Sequence, residues 1–177
     1  MDSRPVLLRL RLRGRIPHPR DAESAALVAA GRASEKNEHL LLSPAGRAAA
    51  ELEFRRTGGD EETVRAAYEK FLPRNAEVIR VCHDWQAHPG EWAVIDRLGA
   101  IDDKAGPIVR RLGTRVEEFG DYRTRLRHAR TQVEEGERDW FTSPRIDSYH
   151  TVWMELHEHL LLALGVDRAD ESAESTG

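Results

Sequence analysis

The residues of this 177-residue chain best suited to chemistry are gathered in one stretch, "RIDSYHTVWMELHEHLLLALG", residues 145–165. It holds three of the eight histidines, interleaved with acids, a tyrosine, a tryptophan and a methionine. Read as a helix, His150, Met154 and His157 recur at i, i+4 and i+7 and share a face. Tyr149, Trp153, Leu156 and Leu160 form the adjacent face. A second cluster, "CHDWQ", places His83, Asp84, Trp85 and Gln86 together, with Asn75 interrupting the same apolar stripe upstream. Imidazoles brought together across a helical bundle could give and take protons near neutral pH. His83, His150, His157 and Asp84 are therefore the candidate acid/base groups. Asn75, Trp85, Gln86, Tyr149, Trp153 and Met154 are the candidate ligand-binding residues.

Each has a plainer explanation. A single histidine at the margin of a core helix is more often satisfied by one hydrogen bond than poised for catalysis, and Asn75 needs only one interhelical partner. Asp147, one turn before His150, could fix its tautomer. His159 falls about 200° around the helix from His157 by the 3.6-residue period. It is expected outside the pocket, in a solvated ion pair with Glu155.

Other chemistries find less support. "HEH" is not the HExxH spacing that puts two histidines on one metal, and no metal or cofactor is expected. "TGGD" lacks the lysine of a phosphate loop, and no serine has a nucleophile-elbow context. The single Cys82 excludes an intramolecular disulfide framework and reads as core.

The elements that must position these groups are mainly helical. A short helix from Val6 is broken by "IPHPRD"; Asp21 caps a second that stops at Gly31. A polar turn near Lys36-Asn37 leads to a strand at Leu40–Leu42. Ser43-Pro44 then opens another helix. After the joint "TGGD", Asp60, Glu61 and Glu62 start a long helix whose apolar positions recur at threes and fours: Val64, Ala67 or Tyr68, Phe71, Asn75, Val78, Cys82 and Trp85. Further helices are expected at about 91–104, 106–118 and 121–135, with breaks at glycines. Ser143-Pro144 should open the last one. The expected domains are 1–56, 60–165, and an acidic disordered tail, 166–177.

Charge is unevenly spread. The net charge is −4, yet residues 1–56 hold eleven Lys and Arg against seven Asp and Glu. A basic N-terminal part on an acidic body is the pattern of a DNA-binding head, for which Arg20, Arg32 and Lys36 are the candidate contacts. No apolar run is long enough to span a membrane, so a cytoplasmic protein with no membrane partner is expected.

Several segments carry a family resemblance. "LLLSPAGRAAAELE" is similar to the step from the wing into the following helix in MarR-type winged-helix regulators. "AYEKFLPRNAEVIRVCHDWQ", "DWFTSPRIDSYHTVWMELHEHLL" and "LRLRGR" resemble actinobacterial MarR-like proteins, and a similar segment occurs in some pyruvate phosphate dikinases. The resemblance covers most of residues 6–165 and rests mainly on "DWQ" and "SYHTVWxELHE". It implies a mainly α fold: a degenerate winged helix with a small β wing, then an α-helical bundle, assembled as a homodimer.

The chain departs from the family pattern at three places. His83 replaces a threonine before "DWQ". The following linker is shortened to "AHPGEW". Only 18 residues are left for the two helices and turn of a helix-turn-helix, which need roughly 18–20 by themselves. Three readings follow. The first is a cofactor-independent acid/base enzyme, of cyclase, lyase or isomerase type, acting on a hydrophobic small molecule. The second is a ligand-responsive, DNA-binding regulator. The third is a binding protein with neither activity. The altered head and pocket favour the first slightly.

Overall fold

A computed structural model of the chain describes residues 4–166. It is mainly helical, with one small antiparallel sheet. The chain divides into two compact units; among the described residues, the first takes 4–56 and 161–166, and the second takes 57–160.

The first unit begins with α1 (Val6–Arg13), whose Val6, Leu7, Leu8 and Leu10 are buried. The chain then turns at Gly14 into β1 (Arg15–Pro17), so the first helix ends earlier than its Leu/Arg pattern suggests. Asp21 caps α2 (Ala22–Ala29): its carboxylate accepts from the Ser24 backbone N–H, and Ser24 Oγ accepts from the Asp21 N–H. β2 (Ala33–Lys36) and β3 (His39–Leu42) form a hairpin around Asn37-Glu38, both in the left-handed region at φ 48° and 60°. That is the two-residue turn whose twist matches antiparallel strands. β3 lies central in the order β1-β3-β2, pairing Ile16 with Leu40 and Lys36 with His39. Ser43 caps α3 (Pro44–Phe54), with Pro44 in its first turn, as the Ser-Pro pair predicts. Gly46 has no room for a side chain, because a Cβ there would collide with the Arg32 carbonyl. Leu27, Ala33, Leu40, Ala50, Phe54 and Leu162 complete the core of this unit.

The second unit is a helical body. α4 (Gly59–Ala87) starts after Gly58 with three acids in its first turn, and buries Val64, Ala67, Phe71, Val78, Val81, Cys82 and Trp85. α5 (Trp92–Arg115) runs unbroken where two helices are expected. The sequence reads a break near Gly106, but proline disfavours helix in the preceding residue partly through that residue's Cβ, and Gly106 before Pro107 has none. A short 3₁₀ turn (Glu117–Phe119) leads to α6 (Tyr122–Glu134), then α7 (Asp139–Thr142). α8 (Tyr149–Leu164) starts five residues later than Ser143-Pro144 implies. Ser148 caps it instead, its Oγ accepting from the Thr151 N–H at 3.3 Å. α4 packs on α5, and α6 packs on α5. The tail expected at 166–177 lies outside the described residues, apart from Val166.

Candidate functional site

α8 is enclosed far more completely than its pattern of charges suggests. Within the second unit, Tyr149, Val152, Trp153, Glu155, Leu156, His157, His159 and Leu160 are all buried. Trp153 stacks on Phe71 at 4.6 Å between centroids and donates from Nε1 to Asn75 Oδ1 at 3.0 Å. The half-buried Asn75 thereby has its interhelical partner. His157 lies against Phe71 and Tyr68, with ring centroids 5.4 and 6.3 Å away. His150 is half-buried, and burial lowers its pKa, favouring the neutral ring. Met154 is half-buried too.

His159 and Glu155 do not form the solvated pair the sequence suggests. His159 is fully buried, stacks on Phe119 at 4.0 Å and meets the Tyr122 hydroxyl at 3.2 Å through Nδ1. Glu155 is gripped by both terminal nitrogens of Arg125, at 2.8 and 3.1 Å. Arg125 also donates from Nε to Asp147, so the Asp147 carboxylate serves α6. The periodicity places these residues correctly around the helix. What it cannot supply is an arginine on a neighbouring helix that makes the buried acid affordable.

The "CHDWQ" cluster is split by its helix. Trp85 is buried and stacks on Phe141 at 4.3 Å. Cys82 is buried, and its thiol pKa is pushed up to about 12 by desolvation, as an inert core thiol requires. His83 and Gln86 are exposed, and Asp84 forms an ion pair with Arg97 of α5. His157 packs on α4 at residues 68 and 71, whereas His83 lies 12 residues beyond Phe71 on the same helix, roughly 18 Å along its axis. His83 and His157 are thus placed apart. Among the described residues, no group of three or more His, Cys, Asp or Glu side chains could hold a metal ion.

The most elaborate polar arrangement centres on a residue that the sequence does not nominate. Asp102 of α5 is fully buried. Its Oδ1 accepts from Arg123 Nη1 at 2.7 Å and from the Tyr149 hydroxyl at 3.1 Å; its Oδ2 accepts from Arg130 Nη1 at 3.1 Å. Gly99 and Gly106 flank Asp102 on its own helix. A Cβ at Gly106 would lie 2.8 Å from Arg123 Cζ, and one at Gly99 would lie 3.1 Å from Arg130 Nη2. The two glycines are troughs through which α6 arginines reach the acid. Burial and the Asp102 charge both raise the Tyr149 pKa, so its hydroxyl stays protonated and donates. This cluster ties α5, α6 and α8 together, and both carboxylate oxygens of Asp102 have partners. The sequence signal was "GAIDDKAG", an acid between glycines at helical spacing.

An open cavity of about 420 Å³ lies on the α4–α5 pair. α4 contributes Glu62, Thr63, Ala66, Ala67 and Lys70; α5 contributes Pro107, Ile108, Arg111, Leu112 and Arg115. Ala66 and Ala67 leave the space, and the Pro107 ring, Ile108 and Leu112 form an apolar wall. None of the residues nominated from the sequence lines it. The face of α4 used here, positions 63, 66, 67 and 70, differs from the Tyr68, Phe71 and Asn75 positions that meet α8.

In the first unit, Arg20, Arg32 and Lys36 are exposed, and Arg20 pairs with Glu38. Only one helix, α2, stands between β1 and β2, and its eight residues, AESAALVA, carry one acid and no base. No helix among the described residues is long and apolar enough to cross a membrane. No family model, no curated protein and no solved structure matches the chain.

Proposed function

We propose that the protein binds a hydrophobic small molecule, and that the cavity on α4 and α5 is where it does so. One observation carries this reading: a cavity of about 420 Å³ with apolar walls from two long helices and a few polar groups at its edge. Small-molecule sites are concave, mostly apolar and about 300–1,000 Å³ in volume. Acid/base catalysis would require two titratable groups within reach of one substrate atom. His83 is exposed on α4, His150 is half-buried and His157 and His159 are buried on α8, and none of them lines the cavity. Binding without chemistry therefore accounts for the geometry better than a cyclase, lyase or isomerase reaction.

A ligand-responsive regulator would use the same cavity, but it also needs a recognition element. The helix available between β1 and β2 has no cationic side chain to offer a phosphate or a base edge.

The test uses N-phenyl-1-naphthylamine, an uncharged probe that fluoresces in apolar surroundings. Saturable enhancement with the whole chain is expected. Ala66→Trp, an exposed helix position whose new side chain would fill the cavity, should remove it while leaving the circular dichroism unchanged. Enhancement that survives Ala66→Trp intact would locate binding elsewhere and sink the reading.

A further inference from the structure

The rim of the cavity is cationic. Lys70 on α4 and Arg111 and Arg115 on α5 all line it, and all three are exposed. Six of the eleven other arginines of the second unit are committed to acids: Arg65 to Glu61, Arg74 to Glu77, Arg97 to Asp84, Arg123 and Arg130 to Asp102, Arg125 to Glu155. None of the three rim cations forms an ion pair with another described residue. Glu62 is the one acid among the lining residues, so the rim is formally +2. This stands out because residues 57–177 together are acidic, near −8. In a body with such an excess of carboxylates, three uncommitted cations around an apolar cleft are placed for an anion arriving from outside.

Resting on the proposed binding at this cavity, we infer that the ligand is an amphipathic carboxylic acid. Its hydrocarbon body would lie against Ala66, Ala67, Pro107, Ile108 and Leu112. Its carboxylate would be held at the rim by Lys70, Arg111 and Arg115. Chemistry and geometry agree on this division. A guanidinium presents paired N–H donors that match a carboxylate bidentately, while lysine adds a mobile point charge. The charges are exposed, so the attraction is screened by salt and selects between ligands more than it supplies affinity.

Octanoate, 1-octanol and octylammonium, matched in chain length and differing in head-group charge, separate the possibilities by displacing N-phenyl-1-naphthylamine at pH 7.5. Octanoate should displace the probe at least about tenfold more effectively than octanol, and octylammonium least. Its advantage should shrink on going from 50 to 500 mM NaCl. The Lys70→Glu/Arg111→Glu chain should reverse the order of octanoate and octylammonium. Octanol displacing the probe as well as octanoate would overturn the inference while leaving cavity binding intact. An unchanged order in the charge-reversed chain would likewise overturn it. Binding that ignores Ala66→Trp would remove both this inference and the reading beneath it. Wild-type protein alone suffices for the central comparison, so a misfolded variant cannot obscure it.

Discussion

At the scale of single residues, the second unit is governed by how it accommodates buried charge. Asp102 is enclosed with two guanidinium groups and a phenol, each giving it a hydrogen bond. Removing the acid leaves cations and a hydroxyl in a space shaped around a carboxylate, and breaking such a pair costs about 3–5 kcal/mol. Both arginines are partly exposed and can turn toward water, so Asp102→Ala is expected at the lower end, about 3 kcal/mol, in urea unfolding. Asp102→Asn keeps one acceptor oxygen and should lose less. Equal losses for the two would mean that the negative charge alone, not the shape or the remaining acceptor, holds the site. His150 gives a second residue-scale prediction. Burial lowers its folded pKa below the unfolded value of about 6.5. As pH falls through 6.5 the unfolded chain takes up the proton first, so the folded state loses stability down to the folded pKa. Acidification from pH 7.5 to 5.5 should therefore lower the melting temperature less in His150→Gln than in the wild type; identical losses would refute this. Neither environment was visible in the sequence. The spacing of His150, Trp153 and His157 told correctly that they share a helix with a packed face. Which arginine meets which acid depends on residues up to 30 apart in the chain, and no local pattern encodes that.

At the scale of elements, the boundaries that could be read were those with local chemistry: Asp21 before α2, Ser43-Pro44 before α3, the acids after Gly58 in α4. Those misread were cases where tertiary contacts outweigh a local rule. Gly106-Pro107 continues α5 because the glycine both tolerates the proline and admits Arg123. Ser143-Pro144 yields to Ser148 as the cap of α8, although the Ser143 carbonyl still accepts from Thr151 Oγ1 at 3.1 Å. The cavity was missed for a related reason, since two alanines, a proline and three surface cations carry no motif. The β2–β3 hairpin offers the clearest test of an element. Its turn holds Glu38 at φ 60°, where a side chain is crowded and glycine is not. The exposed Arg20–Glu38 pair contributes little. Glu38→Gly should therefore stabilise the chain by about 1 kcal/mol, a melting temperature about 2–4 °C higher. A lower melting temperature would show that Glu38 contributes more through its side chain than its backbone conformation costs.

At the scale of the molecule, the separation of charge invites a DNA-binding interpretation, and the arrangement of elements resists it. Residues 1–56 are near +4, but recognition depends on where cations sit. α2 has none, the β2–β3 hairpin sets Glu35 and Glu38 beside Lys36, and Arg20 is paired with Glu38. A few unpaired arginines can still meet phosphates, so weak association with duplex DNA is expected at low salt. Binding through so few contacts should fall only modestly in log–log slope with salt, by about 0.9 per phosphate neutralised, and should show no preference among sequences. Fluorescence anisotropy with labelled duplexes at 50 and 150 mM NaCl, with and without excess unrelated DNA, measures both quantities. Weak, competitor-sensitive binding at both salt concentrations would leave the cavity of the second unit as the functional centre. Competitor-resistant binding at 150 mM would mean that a basic surface other than α2 reads DNA. The cavity ligand would then be an effector, and the Lys70→Glu/Arg111→Glu chain should lose its response to octanoate without losing the DNA.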